Sequence, residues 1–164
     1  MTAWPDVRTG FGFDVHAFGN EGPVILGGTE IPHEKGLVGH SDADAVAHAI
    51  IDALLGAAGL GDIGEHFPET DAAYAGAHSL GLLSETCRKI RAEGWDIANV
   101  DVTVICQRPR LGERKAEMRG NLATTLQIPS ARVNVKATTT EKMGFMGRGE
   151  GLGACALVTL TRPA

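Results

Sequence analysis

Apolar positions along the chain fall into short runs with two different periods. Val7 to Phe18 has β character, with Gly10 and Gly12 placed where a backbone must come close to something. Val24-Ile25-Leu26, the turn pair Gly27-Gly28 and Thr29-Glu30-Ile31 predict a hairpin inside Pro23 to His33. Val46, Ile50, Ala53 and Leu54 recur at helical spacing, which predicts a helix running to about Ala58. Ser41 would cap it, with Asp42 and Asp44 in the first turn, where the helix dipole favours acids. Gly59 to Gly76 is irregular. Leu82, Leu83, Cys87 and Ile90 predict a second helix over Ser79 to Glu93, stopped by Gly94. Val100, Val102 and Val104 alternate within Ile97 to Cys106 and predict a strand. A third helix is expected over about Glu113 to Leu126, then strands over Arg132 to Thr140 and Ala154 to Thr161, with a Gly-rich loop between them. Strands and helices mix without a strict βαβ rhythm. The expected class is therefore α+β, a single domain with a mixed β-sheet covered by helices plus a β-hairpin. Residues 1–6 are expected to form a flexible tail and 7–164 the domain.

Bulk properties narrow the function. A chain of 164 residues holds one domain with a real core. Net charge is -5 and no Lys/Arg cluster follows one face, so no nucleic acid partner is expected. A small anionic substrate stays open, because a bound metal can invert the local field. Cys87, Cys106 and Cys155 are odd in number and far apart in apolar stretches, which fits small buried hydrophobes in a reducing compartment. There is no basic region followed by an apolar run at the N-terminus and no apolar stretch of about twenty residues. The expectation is a cytoplasmic protein with no membrane association.

Candidate chemistry begins with Asp14-Val15-His16 and His48. Residues two apart on a strand share a face, so Asp14 and His16 point together. Asp44, His48 and Asp52, four apart, form a polar line beside the apolar stripe of the first helix. Packing that helix on the strand would bring His48 to the pair. One carboxylate and two imidazoles suit zinc or a similar divalent ion with a coordination place left open, and Asp44 or Asp52 could orient His48 from behind. The spacing alone is also compatible with an ordinary helical histidine beside a core, and His33, His66 and His78 are read as loop histidines without a role. Lys136-Ala137-Thr138-Thr139-Thr140-Glu141-Lys142 ends a strand with hydroxyls, a carboxylate and ammonium groups suited to phosphate and magnesium, although Thr-rich strands are ordinary β-formers. Gly147-Arg148-Gly149-Glu150-Gly151-Leu152-Gly153 leads into a strand rather than a helix, and Gly10-Phe11-Gly12-Phe13 lacks a third glycine, so neither reads as a nucleotide loop.

Five of these stretches together resemble the 2-C-methyl-D-erythritol 2,4-cyclodiphosphate synthase family of the non-mevalonate isoprenoid pathway. They are Gly12-Phe13-Asp14-Val15-His16, His40-Ser41-Asp42-Ala43-Asp44, Asp62-Ile63-Gly64 with Phe67-Pro68, Ala137-Thr138-Thr139-Thr140-Glu141-Lys142-Met143-Gly144-Phe145, and Gly147-Arg148-Gly149-Glu150-Gly151. The resemblance covers about Arg8 to Thr161. It implies a homotrimer with sheets around a central axis and active sites at subunit boundaries. Asp14, His16 and His48 would bind Zn2+, and Glu141 a Mg2+ or Mn2+. His40 and Ser41 would meet the substrate's 2-phosphate, and Asp62, Ile63, Gly64 and Phe67 its methylerythritol part. Cys106, Arg110, Leu111, Ala137, Thr138, Thr139 and Thr140 would bind the cytidine nucleotide. Phe13, Phe145, Arg148 and Glu150 would line an axial cavity able to take an isoprenoid diphosphate. The implied activity is metal-dependent cyclisation of 4-diphosphocytidyl-2-C-methyl-D-erythritol 2-phosphate with release of CMP, and a cytidylyltransferase of the same pathway is an expected partner. Arg110 stands where the family usually has Lys, and Gly112-Glu113-Arg114 departs from its pattern. Arg keeps the charge but changes its shape. Two other readings remain at this stage: a zinc-dependent phosphohydrolase using Asp52 or Glu141 as base, and a trimeric module that only binds isoprenoid diphosphates.

Overall fold

Strand β1 (Asp6–Glu21) is the longest element and is paired on both sides, with Lys35–Leu37 along one edge and Gly151–Arg162 along the other. The computed structural model describes residues 6–162. β1 continues beyond the expected Phe18, and Asp6, assigned to the tail from sequence, already pairs with Arg162; the other tail residues lie outside those described. β2 (Val24–Leu26) and β3 (Thr29–Ile31) form the expected hairpin around Gly27 and Gly28, both with positive φ. β4 (Lys35–Leu37) was not legible in the sequence and pairs with the far end of β1. Then follow α1 (Ala45–Ala58), the short α2 (Ile63–His66), a 3-10 turn at Ala72–Tyr74 and α3 (Ser79–Ala92). β5 (Asp96–Ile105), α4 (Arg114–Leu126), β6 (Val133–Thr138), the single turn α5 (Gly144–Gly147) and β7 (Gly151–Arg162) complete the domain.

Five strands form one sheet in the order β4-β1-β7-β5-β6, with β5 and β6 parallel and the other neighbours antiparallel. The mixed sheet and its helices make the α+β class a fact of the structure. One sheet face is dry. Val100, Val102, Val104, Ala154, Ala156, Val158 and Leu160 point from it into a core shared with Val46, Ile50, Leu54, Leu83 and Ile90. All four residues of the α1 stripe read from the sequence are buried, as are those of α3.

Two glycines set how close α1 comes to that face. A Cβ on Gly10 would lie 1.9 Å from the Ala53 carbonyl oxygen, and one on Gly12 1.9 Å from that of Ala49. Any side chain there would collide with helix backbone, so the helix lies directly on β1. The opposite sheet face is uncovered within one chain. Val7, Phe11, Phe13 and Leu157 are exposed on it, Phe11 by 61%, with Phe11 paired to Leu157 across the strands.

Candidate metal centre and substrate clefts

Alternation along β1 decides which side chains α1 meets. Gly10 and Gly12 face the helix, so Asp14 and His16, the next two even positions, face it too. His48, on the first turns of α1, completes the group. Asp14 Oδ2 lies 2.8 Å from His16 Nε2 and 3.1 Å from His48 Nδ1, and the two nitrogens are 3.3 Å apart. Three ligand-type atoms fall within 4.8 Å of one another, the single such group of three among the described residues.

The second nitrogen of the His16 ring shows where its proton resides. His16 Nδ1 is 2.8 Å from the Val38 carbonyl, which can only accept, so Nδ1 carries the proton and Nε2 presents a lone pair. His48 Nε2 faces two hydroxyls, Ser79 Oγ at 2.9 Å and Ser41 Oγ at 3.2 Å. Its Nδ1 is turned toward Asp14. One carboxylate oxygen and two ring nitrogens therefore converge on one point, where a shared cation, a proton or a metal ion, would offset their electron-rich atoms. The donor set, two imidazoles and one carboxylate, fits a divalent ion of the zinc type. Burial alone would raise the Asp14 carboxyl, but the two histidines bonded to it outweigh that and hold it at about 2. Burial would lower His16, yet Asp14 and the Val38 carbonyl raise it above the ordinary imidazole value.

The supports assumed for His48 are not the ones the fold provides. Asp44 is fully buried and is itself the N-cap of α1, replacing Ser41 in that role. Its Oδ1 accepts from the amides of Gly27, Val46 and Ala47, and its Oδ2 from Gly28, so its side-chain hydrogen bonds tie the hairpin to the helix rather than orient the His48 ring. Burial raises its carboxyl, against the pull of these amides. Asp52 Oδ1 accepts from Ile63 N–H at 3.0 Å and thereby anchors α2. Sequence reasoning missed Ser79, the first residue of α3, and Asp42, whose carboxylate accepts from the Ser79 hydroxyl and amide. The only local hint was a serine opening a helix.

A cleft of about 200 Å³ opens on the metal-ligand group. It is lined by Asp14, His16 and His48 together with His40, Ser41, Ile63, Gly64 and Phe67, all singled out from sequence, and by Glu69, Tyr74 and Leu82, which were not. Asp62 does not line it; its side chain caps α2 by accepting from Glu65 N–H. A second cavity of about 360 Å³ is lined by Cys106, Arg110, Leu111, Ala137, Thr138 and Thr139, which were singled out from sequence, together with Arg108 and Lys115. Thr140 is outside it and donates its hydroxyl to the Met143 carbonyl. The two clefts share no lining residue within one chain. Glu141 and Lys142 follow in two successive left-handed conformations, φ 53° and 64°, with the Glu141 amide donating to Thr139 Oγ1. Non-glycine residues held there store strain of about 1–3 kcal/mol each, a cost that tends to appear where a side chain must be aimed.

Phe13 projects from the uncovered sheet face, Phe145 is exposed on α5, and Arg148 Nε donates to Glu150 at 2.6 Å at the surface. None of the four lines the metal cleft. The histidines read as roleless loop residues are more engaged than that: His66 lies in α2, with ring nitrogens 2.7 Å from the Leu60 carbonyl and 3.2 Å from Lys89 Nζ. Cys87 and Cys106 are buried thiols pushed up to about 11 by that burial, whereas Cys155 lies on the uncovered face and is only partly buried. Among the described residues no helix is long and apolar enough to cross a membrane.

A single α+β domain that gathers one carboxylate and two imidazoles at an open cleft is a scaffold of the open-site metalloenzyme class. The chain belongs to the YgbB family, whose model matches residues 7–161. It is 57% identical over 159 residues to the 2-C-methyl-D-erythritol 2,4-cyclodiphosphate synthase of Ralstonia nicotianae, covering 97% of this chain and 95% of that one. Among solved structures it is similar to the bifunctional IspDF from Campylobacter jejuni, with a TM-score of 0.94 and 46% identity. That match covers 98% of this chain but 43% of the bifunctional protein. The CDP complex of IspF from Plasmodium falciparum superposes with a TM-score of 0.84 at 30% identity, covering 99% and 100% of the two chains.

Proposed function

We propose that this chain catalyses the cyclisation of 4-diphosphocytidyl-2-C-methyl-D-erythritol 2-phosphate to 2-C-methyl-D-erythritol 2,4-cyclodiphosphate, a lyase reaction of isoprenoid biosynthesis. The observation that carries this reading is the convergence of Asp14, His16 and His48 in one cleft with His40, Ser41, Ile63, Gly64 and Phe67. An oxygen of the 2-phosphate bonds to the β-phosphorus, the bond from that phosphorus to the α-phosphate oxygen breaks, and CMP leaves. The substrate supplies its own nucleophile, so the protein has to position two anionic groups and offset their repulsion.

Two like unit charges about 4 Å apart repel by about 4 kcal/mol at an effective dielectric near 20, and each 1.4 kcal/mol is about tenfold in rate. Bound at Asp14, His16 and His48, Zn2+ would supply Lewis-acid polarisation of a phosphoryl oxygen, and Mg2+ or Mn2+ at Glu141 would supply further charge neutralisation on the diphosphate. His40 and Ser41 hold the attacking phosphate in this reading. Phe67, Tyr74 and Leu82 keep water from the reacting phosphorus. Ile63 and Gly64 bind the methylerythritol portion where α2 lines the cleft, and Asp62, outside that lining, adds its free carboxylate oxygen from the helix cap, the α2 backbone being anchored by Asp52. Arg108, Arg110 and Lys115 give the second cavity the positive charge a nucleotide needs, and Lys115 offers an ammonium group where Arg110 has replaced the family's lysine.

Separate clefts within one chain call for a second chain to complete a site. The uncovered apolar face with Val7, Phe11, Phe13 and Leu157 supports a homotrimer packed sheet to sheet, with Phe145, Arg148 and Glu150 at an axial cavity for an isoprenoid diphosphate. The bifunctional relative supports a functional link to a cytidylyltransferase, and we place both activities in the cytoplasm. The hydrolase rival gains no specific support: Asp52 is committed to Ile63, and neither it nor Glu141 lines the metal cleft of one chain as a hydrolytic base would.

The test is product analysis with Zn2+ and Mg2+ present. Phosphorus NMR is expected to show the cyclic diphosphate alongside stoichiometric CMP, and His48→Ala is expected to lose nearly all turnover and its zinc while keeping its oligomeric state. An opened product carrying solvent oxygen would establish a hydrolase instead, and substrate binding without CMP release a binding module.

A further inference from the structure

We infer that Ser79 and Asp42 form a hydroxyl–carboxylate relay that fixes the tautomer of His48, which makes Ser79 a positioning residue for the metal centre. This deepens the proposed function and rests on its metal-centre reading.

The direction of each bond follows from what each atom is able to do. The Asp42 carboxylate accepts from two backbone amides, Ser79 N–H at 3.1 Å and Asp44 N–H at 3.3 Å, and has no proton of its own to offer. The Ser79 hydroxyl, in close contact with Asp42 Oδ1, must therefore donate its single proton there. What it has left for His48 Nε2, 2.9 Å away, is a lone pair. Nε2 must then carry the ring proton, and Nδ1 keeps its lone pair for the point where Asp14 and His16 converge. Were Ser79 free to donate to Nε2 instead, the ring would take the opposite tautomer and present N–H to the cation. A carboxylate two bonds away thus selects the ligating nitrogen.

Ser41 does not serve equally well. Its Oγ is 3.2 Å from the same Nε2, but it lines the cleft, and it already accepts from Ala43 N–H at 3.2 Å. Ser79 is 0% exposed, so no water competes for its hydroxyl. With Ser79 holding Nε2–H, the Ser41 hydroxyl can turn its proton either to Ser79 Oγ, 3.4 Å away, or to an anionic group in the cleft it lines. One short motif, Ser41-Asp42, therefore contributes a ligand-facing hydroxyl and the anchor of a hidden one.

Nitrogen-15 NMR of the imidazoles in the metal-free wild type reads the tautomer directly. The expected result is His48 protonated on Nε2, and a ring protonated on Nδ1 would overturn the relay. Competition titration with Zn2+ alone is expected to show Ser79→Ala weaker by about 10–100-fold, with rescue to within a few-fold by Ser79→Thr, which restores the hydroxyl. The NMR signature of Ser79→Ala should show the Nδ1–H form gaining. A merely structural serine would alter melting without moving the tautomer. Should either variant fail to fold, the wild-type tautomer decides. Wild-type zinc binding matched by Ser79→Ala would overturn the relay alone, whereas a wild type that does not take up zinc would overturn the metal centre and the relay with it.

Discussion

Gly12→Ala and Gly10→Ala are a matched pair of perturbations, because the same steric insult falls at two distances from the metal ligands. In each, the new Cβ would lie 1.9 Å from a helix carbonyl oxygen and 2.8 Å from a helix amide nitrogen, on Ala49 and Ala53 for Gly12 and on Ala53 and Ala57 for Gly10. Ordinary contact begins near 3.4 Å, so α1 must retreat by about 1.5 Å at the point of collision. Backbone cannot swing aside as a side chain can. Overpacking of this kind costs about 1–3 kcal/mol, or on the order of 3–10 °C in melting temperature for a chain of this size. Both variants are expected to melt earlier by similar amounts with a chelator present.

Zinc affinity is expected to separate them. Ala49 adjoins His48, whereas Ala53 is one turn further on, about 6 Å along the helix axis. Metal–ligand distances tolerate only about 0.2 Å. A displacement of about 1.5 Å beside His48 therefore pulls its ring away from Asp14 and His16, while the same displacement at Ala53 is partly absorbed before it reaches them. Competition titration should show Gly12→Ala at least about tenfold weaker than Gly10→Ala. Equal zinc affinity in the two variants, or a Gly12→Ala melting curve superimposable on the wild type, would refute the claim that helix-on-glycine contact positions the third ligand.

Asp44→Asn is expected to cost about 1.5–3 kcal/mol of stability, because the new NH2 must face one of the amides that the carboxylate accepts from, Gly28 N–H at 2.8 Å on one side or Gly27, Val46 and Ala47 N–H on the other. Denaturant titration reads this loss, and a parallel tenfold fall in zinc affinity of the folded variant would return Asp44 to a role behind His48. In the metal-free protein, the raised His16 value means that its contribution to stability is complete below about 6.5 and is lost as pH climbs through the folded value. Asp14, held at about 2, contributes above its ordinary value of 3.8 and loses that contribution only as pH falls toward 2. Melting temperature with a chelator should therefore fall from pH 6 to 8 and rise over the same window with saturating zinc, which proton competition weakens at the acid end; parallel curves would contradict the assignment of a shared proton and metal position.

Features written with a local period were legible in the sequence. The apolar stripes of α1 and α3, the alternation of β5 and the Gly27-Gly28 hairpin each depend on neighbours within a few residues, and each reappears in the fold. The metal triad was legible for the same reason: period two puts Asp14 beside His16, and the polar edge of α1 offers His48. What long-range pairing creates was not legible. Gly151 to Gly153 reads as loop because nothing local favours a strand. It becomes one because Gly151 pairs with Ala17 and Gly153 with Val15, and a Cβ on Gly151 would reach within 2.5 Å of the His16 carbonyl. β4 is three residues whose strand character comes wholly from β1. The helix cap was misplaced because Ser41, Asp42 and Asp44 are all competent, and only the left-handed Ala43, φ 56°, excludes the first two.

The metal centre divides along the same line. Which side chains can bind a cation follows from periodicity, but which nitrogen of each ring does so follows from groups distant in sequence: the Val38 carbonyl, 22 residues from His16, and the Ser79 hydroxyl, 31 residues from His48. Neither Val38 nor Ser79 has any feature that marks it locally. Val38 acts through its backbone, and Ser79 passes for a helix-opening serine. A pattern of ligands specifies that a cation can bind; only tertiary closure of the loops over α1 specifies that the lone pairs, rather than the protons, face it. A sequence that kept Asp14, His16 and His48 but altered the path of residues 38–44 would retain the motif and lose the site.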